Sequence, residues 1–144
     1  MRVNLEYFGS LLNVFLDSDK AHVDFNDIVN AGIETKVDGK ISEKLIFHLQ
    51  LALDNQLIGK RSDSAETLKD IGIIQMLDGS TTISIVPLRL TQRGHDFALS
   101  LNNKEVMDKL KTEFKDAPFK VVFEGGQKLL QHFMQKKLDS IMEQ

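Results

Sequence analysis

Four histidines and no cysteine bound the chemistry open to this 144-residue chain. His22, His48, His95 and His132 stand far apart. None has a second histidine three or four residues away or a His-x-Glu neighbour, so no spacing supports a zinc site. The absence of cysteine excludes disulfides, thiolate zinc sites, iron–sulfur clusters and thiol nucleophiles. His95-Asp96 is the dipeptide with which metal phosphohydrolases hold an ion. Adjacent helical residues diverge by about 100°, however, and rarely ligate together. No Gly-x-Ser-x-Gly elbow is present. Gly125-Gly126-Gln127-Lys128 lacks both the Walker spacing and a preceding strand. The carboxylate pairs Asp17/Asp19 and Asp24/Asp27 fall where helix ends need them. These residues point away from an enzyme, a cofactor or a small-molecule substrate, and a hydrolase built on His95-Asp96 is the most distant reading.

Charge separates the remaining classes. The chain carries 18 Lys and Arg against 21 Asp and Glu, a net of −3. Residues 1–60 alone hold six basic and nine acidic side chains, the same net of −3. Phosphate contacts supply most non-specific nucleic-acid affinity, so an acidic N-terminal half weakens a DNA-binding reading. An apolar fraction of 42% with 27% charged residues is that of an ordinary soluble domain. No apolar run approaches the roughly 20 residues needed to span a bilayer. The first residues lack a signal peptide's basic and apolar regions. A cytoplasmic protein without a membrane partner is expected.

The elements that would position any site follow from periodicity. Leu5, Phe8, Leu11, Leu12, Phe15 and Leu16 recur at helical spacing. A short second helix starts at the candidate cap Asp24 and ends near Gly32. A third runs from Ser42 or Gly39 to about Gln56 and gathers Ile41, Leu45, Ile46, Leu49, Ala52, Leu53 and Leu57 in a sector of about 160°. Phe47 and Leu51 lie one turn apart outside that sector, flanked by Glu43, Lys44, Gln50 and Asp54. Residues 59–70 read as a polar loop. Two β-rich runs, 71–77 and 81–86, flank the turn pair Asp78-Gly79. Helical stripes resume at Thr91 and again before Phe114, and Pro118 opens a last helix reaching about Met142. The Gly125-Gly126 pair marks a kink, a break or a close backbone contact inside it. The order α-α-α-β-β-α-α-α predicts an α+β winged helix-turn-helix, three helices and a hairpin wing, extended by C-terminal helices. One domain is expected over 1–144, with a core at 1–103 and a helical extension at 104–144.

The stretch Leu88-Arg89-Leu90-Thr91-Gln92-Arg93-Gly94-His95-Asp96-Phe97 resembles the strand-to-helix junction of many winged-helix regulators. Its longer form, Arg-Leu-Thr-x-x-Gly-His-x-Phe, is similar to that of a family of uncharacterised bacterial and phage proteins. Residues 47–58 and 129–138 share the resemblance. It implies a winged-helix-like fold and a phage or mobile-element setting, and it carries no catalytic residues. Independently of it, Thr91 can cap a helix and Gly94 can admit a neighbouring backbone.

Two functions follow as expectations. In the first, a small non-enzymatic module binds double-stranded DNA through Lys40, Lys44, Lys60 and Arg61. In the second, the winged fold serves as a protein-interaction module or homodimer. Its partner patches are Phe47 and Leu51 on the third helix, and Phe133 and Leu138 on the last, where a C-terminal helix would pair with its own copy.

Overall fold

Polar side chains start nearly every helix in the computed structural model, which describes all 144 residues. Asn4 accepts the amide of Tyr7 at 3.0 Å and opens α1, Leu5–Leu16. Asp24 and Asp27 form a reciprocal capping box on α2, Phe25–Asn30. The Asp24 amide and the Lys20 ammonium hold the Asp27 carboxyl below the usual carboxylate range. Ser42 caps α3, Glu43–Asp54. Thr91 accepts the amide of Gly94 at the start of α4, Gln92–Asn102. Asn103 caps α5, Lys104–Glu113, and Pro118 precedes α6, Phe119–Met142. The six helices are those the hydrophobic periodicity predicts.

The strands are more numerous than the sequence pattern announces. Besides the hairpin of β4, Ile73–Gln75, and β5, Thr81–Ile83, two further antiparallel pairs form. β1, Lys36–Val37, and β2, Lys40–Ile41, turn on Asp38 and Gly39, both at positive φ (52° and 77°). That is the two-residue hairpin geometry which an Asp-Gly pair favours. β3, Ile58–Lys60, pairs with β6, Leu88–Leu90, in the register Ile58–Leu90 and Lys60–Leu88. Val23 adds to the other edge of β6, exchanging two hydrogen bonds of 2.8 Å with Leu88. The lateral order is therefore Val23, β6, β3. The supposed loop 59–70 thus begins in a strand and ends in a short 3-10 turn, Lys69–Ile71. Three residues are too few for period-two alternation to register, and the partner of β3 lies 30 residues away along the chain.

The chain forms two compact units. One contains Met1 and residues 3–95, the other Arg2 and residues 96–144, so the boundary falls inside α4. In the first unit, Phe8, Leu11 and Leu12 of α1, Ile28 of α2 and Leu45, Leu49 and Ala52 of α3 are almost completely buried. Buried Leu57, Ile58 and Leu88 add the strands to that core.

The junction at 88–94 closes this unit. Thr91 donates its amide to the Leu57 carbonyl and its hydroxyl to the Gln56 carbonyl, while Arg93 Nε donates to the Asn55 carbonyl. Three successive carbonyls of the turn that follows α3 are satisfied in this way. A Cβ on Gly94 would overlap the Leu57 carbonyl oxygen, so only glycine fits at that approach.

In the second unit, Phe97 of α4 stacks on Phe123 of α6 at 5.2 Å and meets Phe119 edge-on at 5.4 Å. Val106 and Leu110 of α5 are fully buried. The Gly125-Gly126 pair leaves α6 unbroken. A Cβ on Gly126 would sit 3.2 Å from Ser100 Oγ and 3.4 Å from a Leu110 methyl, so of the three options this is the close contact. Gln127 donates to the Asp96 carbonyl and to Ser100 Oγ beside it.

Candidate binding surface on α3

Capped by Ser42 and packed through its leucines, α3 has one side left for function. The residues on that side are Glu43, Phe47, Gln50, Leu51 and Asp54. Glu43, Gln50 and Asp54 are exposed, and Phe47 and Leu51 are half-buried. Across from them runs Glu66-Thr67-Leu68-Lys69, the segment entering the 3-10 turn. The two walls enclose a groove with a cavity volume of about 540 Å³. Phe47, Leu51, Leu53 and Leu68 supply its apolar lining, and Asp54, Glu66 and Lys69 its charges. Asp70 fixes the second wall by accepting the amides of Glu66 and Thr67 at 3.0 and 3.1 Å. Those bonds hold its carboxyl below the usual range.

The structure therefore brings Phe47 and Leu51 together in one groove. Phe133 and Leu138 lie on α6 in the other unit, half-buried and exposed respectively. The basic candidates are less free than their types suggest. Lys44 holds its ammonium 4.9 Å from the centroid of the Tyr7 ring, a cation–π contact. Lys60 pairs with Asp63 at 3.5 Å. Lys40 and Arg61 are exposed. Along the chain, Lys40 and Lys44 stand at the start of α3 and Lys60 and Arg61 beyond its end, with Glu43 and Asp54 between them.

Behind the groove sits a histidine that belongs to no motif. His48 is fully buried. Its Nδ1 lies 2.7 Å from the Lys44 carbonyl, and its Nε2 lies 3.0 Å from the Asn4 amide. A carbonyl needs a donor and an amide needs an acceptor, so the ring is neutral with its proton on Nδ1. Burial pushes its pKa below the ordinary 6.5. Three aromatic rings surround it: Tyr7 at 4.9 Å, Phe8 at 5.4 Å and Phe47 edge-on at 5.1 Å. Phe47 is thus held from behind by His48 and faces the groove from the front. Tyr7 donates its hydroxyl to the Glu34 carbonyl at 2.8 Å. Burial, reinforced by the Glu34 carboxylate, raises the Tyr7 phenol to about 12. The signal for His48 lay in the helical wheel, where it falls about 20° outside the apolar sector of α3. Leu68 was legible only as a lone apolar residue in a polar stretch.

His95 is exposed at the start of α4, and no three His, Asp or Glu side chains converge as a metal site. No helix is long and apolar enough to cross a membrane. No family model, curated protein or solved structure matches the chain.

Proposed function

We propose that residues 3–95 form a winged helix-turn-helix module without catalytic activity, and that its α3 face docks a protein segment. Support for the fold comes from the element order. Helix, strand residue Val23, two helices with a small hairpin between them, then β3 and β6 give a sheet ordered Val23, β6, β3. In a winged helix the last two strands carry the wing between them. Here that connection is residues 61–87, and it contains the β4–β5 hairpin. Helices α4 to α6 extend the module.

The observation that carries the docking assignment is the outward side of α3. A helix that reads a major groove presents donors to base edges and cations to phosphates. This one presents Phe47 and Leu51 between Glu43 and Asp54, with Lys44 drawn over Tyr7. An apolar centre with a charged rim is the anatomy of a protein-binding site. Asp54 and Glu66 outnumber Lys69 at the groove, so the fitting partner is a short amphipathic segment. It would carry two apolar anchors one helical turn apart and basic flanking residues. The test is binding of a labelled peptide of that pattern. Leu51→Glu should weaken binding at least tenfold, about 1.4 kcal/mol, and exchanging the basic flanks for acidic ones should do the same. Binding indifferent to both changes contradicts the assignment.

Double-stranded DNA is the second reading. It draws on the same element order and on the exposed Lys40 and Arg61. It requires an affinity for random duplex that falls steeply with salt and is lost on replacing Lys40, Lys44, Lys60 and Arg61 by alanine.

A further inference from the structure

The buried face of α6 does not end where its packing ends. Over its first half, Phe119, Val122, Phe123 and Gly126 point one way, with Val122, Phe123 and Gly126 buried. At about 100° per residue, Leu130, Phe133, Met134, Leu138 and Ile141 continue the same side of the helix within an arc of about 140°. Met134, Leu138 and Ile141 are 47%, 49% and 56% exposed, so this continuation is an apolar stripe facing water. Lys128, His132, Asp139 and Glu143 fall on the opposite side. Lys137 is the one charged residue within the arc.

From this pattern we infer that α6 pairs antiparallel with α6 of a second copy, about a two-fold axis between Gln135 and Lys136. The inference does not depend on the winged-helix reading or on the α3 groove. Its warrant is self-complementarity. About that axis, Leu130 meets Ile141, Phe133 meets Leu138, and Met134 meets Lys137, each pair lying within the exposed arc. A two-fold interface requires such reciprocal matching, because the same patch serves both copies.

Charge fixes the direction. A parallel, in-register pair stacks Lys137 on its own copy in the middle of the seam, and like charges at such positions are destabilising. The antiparallel pair lays the Lys137 stem along Met134 and leaves its ammonium free to reach water. The seam spans residues 129–142, a length of about 21 Å at about 1.5 Å per residue. At a helix width of about 10–12 Å it covers on the order of 250 Å² per copy, well under the roughly 800 Å² per partner of a standard interface, so the dimer is reversible and concentration-dependent.

Sedimentation equilibrium of the full chain across a wide concentration range tests the pairing. A monomer–dimer equilibrium is expected. Leu138→Glu and Ile141→Glu should each raise the dissociation constant about tenfold or more, with helical circular dichroism unchanged, since both side chains are exposed. The chain has no cysteine, so Lys136→Cys and Glu143→Cys each accept one spin label. Antiparallel pairing leaves the labels at 136 nearly level along the helix axis and sets those at 143 about 21 Å further apart along it. A monomer at every concentration overturns the inference, as does a dimer that both glutamate variants leave intact. Equal label separations at 136 and 143 overturn the antiparallel register.

Discussion

His48 Nε2 accepts the backbone N–H of Asn4 at 3.0 Å, tying the middle of α3 to the residue that caps α1. Only the neutral ring can do this, because a protonated Nε2 would point a second N–H at the Asn4 amide. The folded state therefore binds a proton at His48 less readily than the unfolded chain, whose value is near 6.5. The sign follows from linkage: stability from this group is fully present above about pH 6.5 and is lost as pH falls from there through the depressed folded value. Urea midpoints at pH 7.5 and 5.5 check it. The wild type should be less stable at the lower pH, and His48→Gln should remove part of that dependence. His48→Ala should cost about 2 kcal/mol or more at either pH, from the cavity and the unpaired amide together.

Gly94 and Leu57 form the second critical approach. Gly94→Ala forces a methyl into the Leu57 carbonyl oxygen that also receives the Thr91 amide. Neither backbone can yield without disturbing the end of α3. A loss of about 1–3 kcal/mol, the usual range for overpacking, should appear in a denaturant titration. A neutral Gly94→Ala would contradict the close approach.

The adjacent glycines of α6 should behave in opposite ways. A Cβ at Gly125 meets the Phe114 ring at 3.4 to 3.8 Å, an ordinary contact. Gly125→Ala should therefore stabilise the chain by up to about 1 kcal/mol through helix propensity. Gly126→Leu has no such room against Ser100 and Leu110 and should cost about 1–3 kcal/mol. Thermal melts of the two variants, run side by side, check the contrast.

What the sequence made legible divides along physical lines. Helices announce themselves through local periodicity and caps: Asp24, Ser42 and Thr91 stand where the sequence pattern puts them, while Pro118, expected as the first residue of the last helix, is the cap residue just before it. The β3–β6 pair and the Val23 bridge were invisible because each is a short, long-range pairing with no local period. Asp38-Gly39 offered the same turn signal as Asp78-Gly79, but its strands are only two residues long. At the site, Phe47 and Leu51 were legible as apolar residues out of phase with the core. The opposite wall, Glu66 to Lys69, was not, since its position depends on how 61–87 folds back. Residue type identified Lys44 and Lys60 as cations for phosphate. It could not reveal that one lies over Tyr7 and the other pairs with Asp63.

Amide chemical shifts during parallel titrations with peptide and with duplex DNA test the α3 assignment most directly. A peptide with two apolar anchors and basic flanks should move the signals of Phe47, Gln50, Leu51 and Asp54 together with those of Glu66 to Lys69. Random-sequence duplex at low salt should leave them in place. If the duplex moves the α3 signals, with an affinity that falls steeply as salt is added, and the peptide does not, then α3 reads nucleic acid and the docking assignment is wrong.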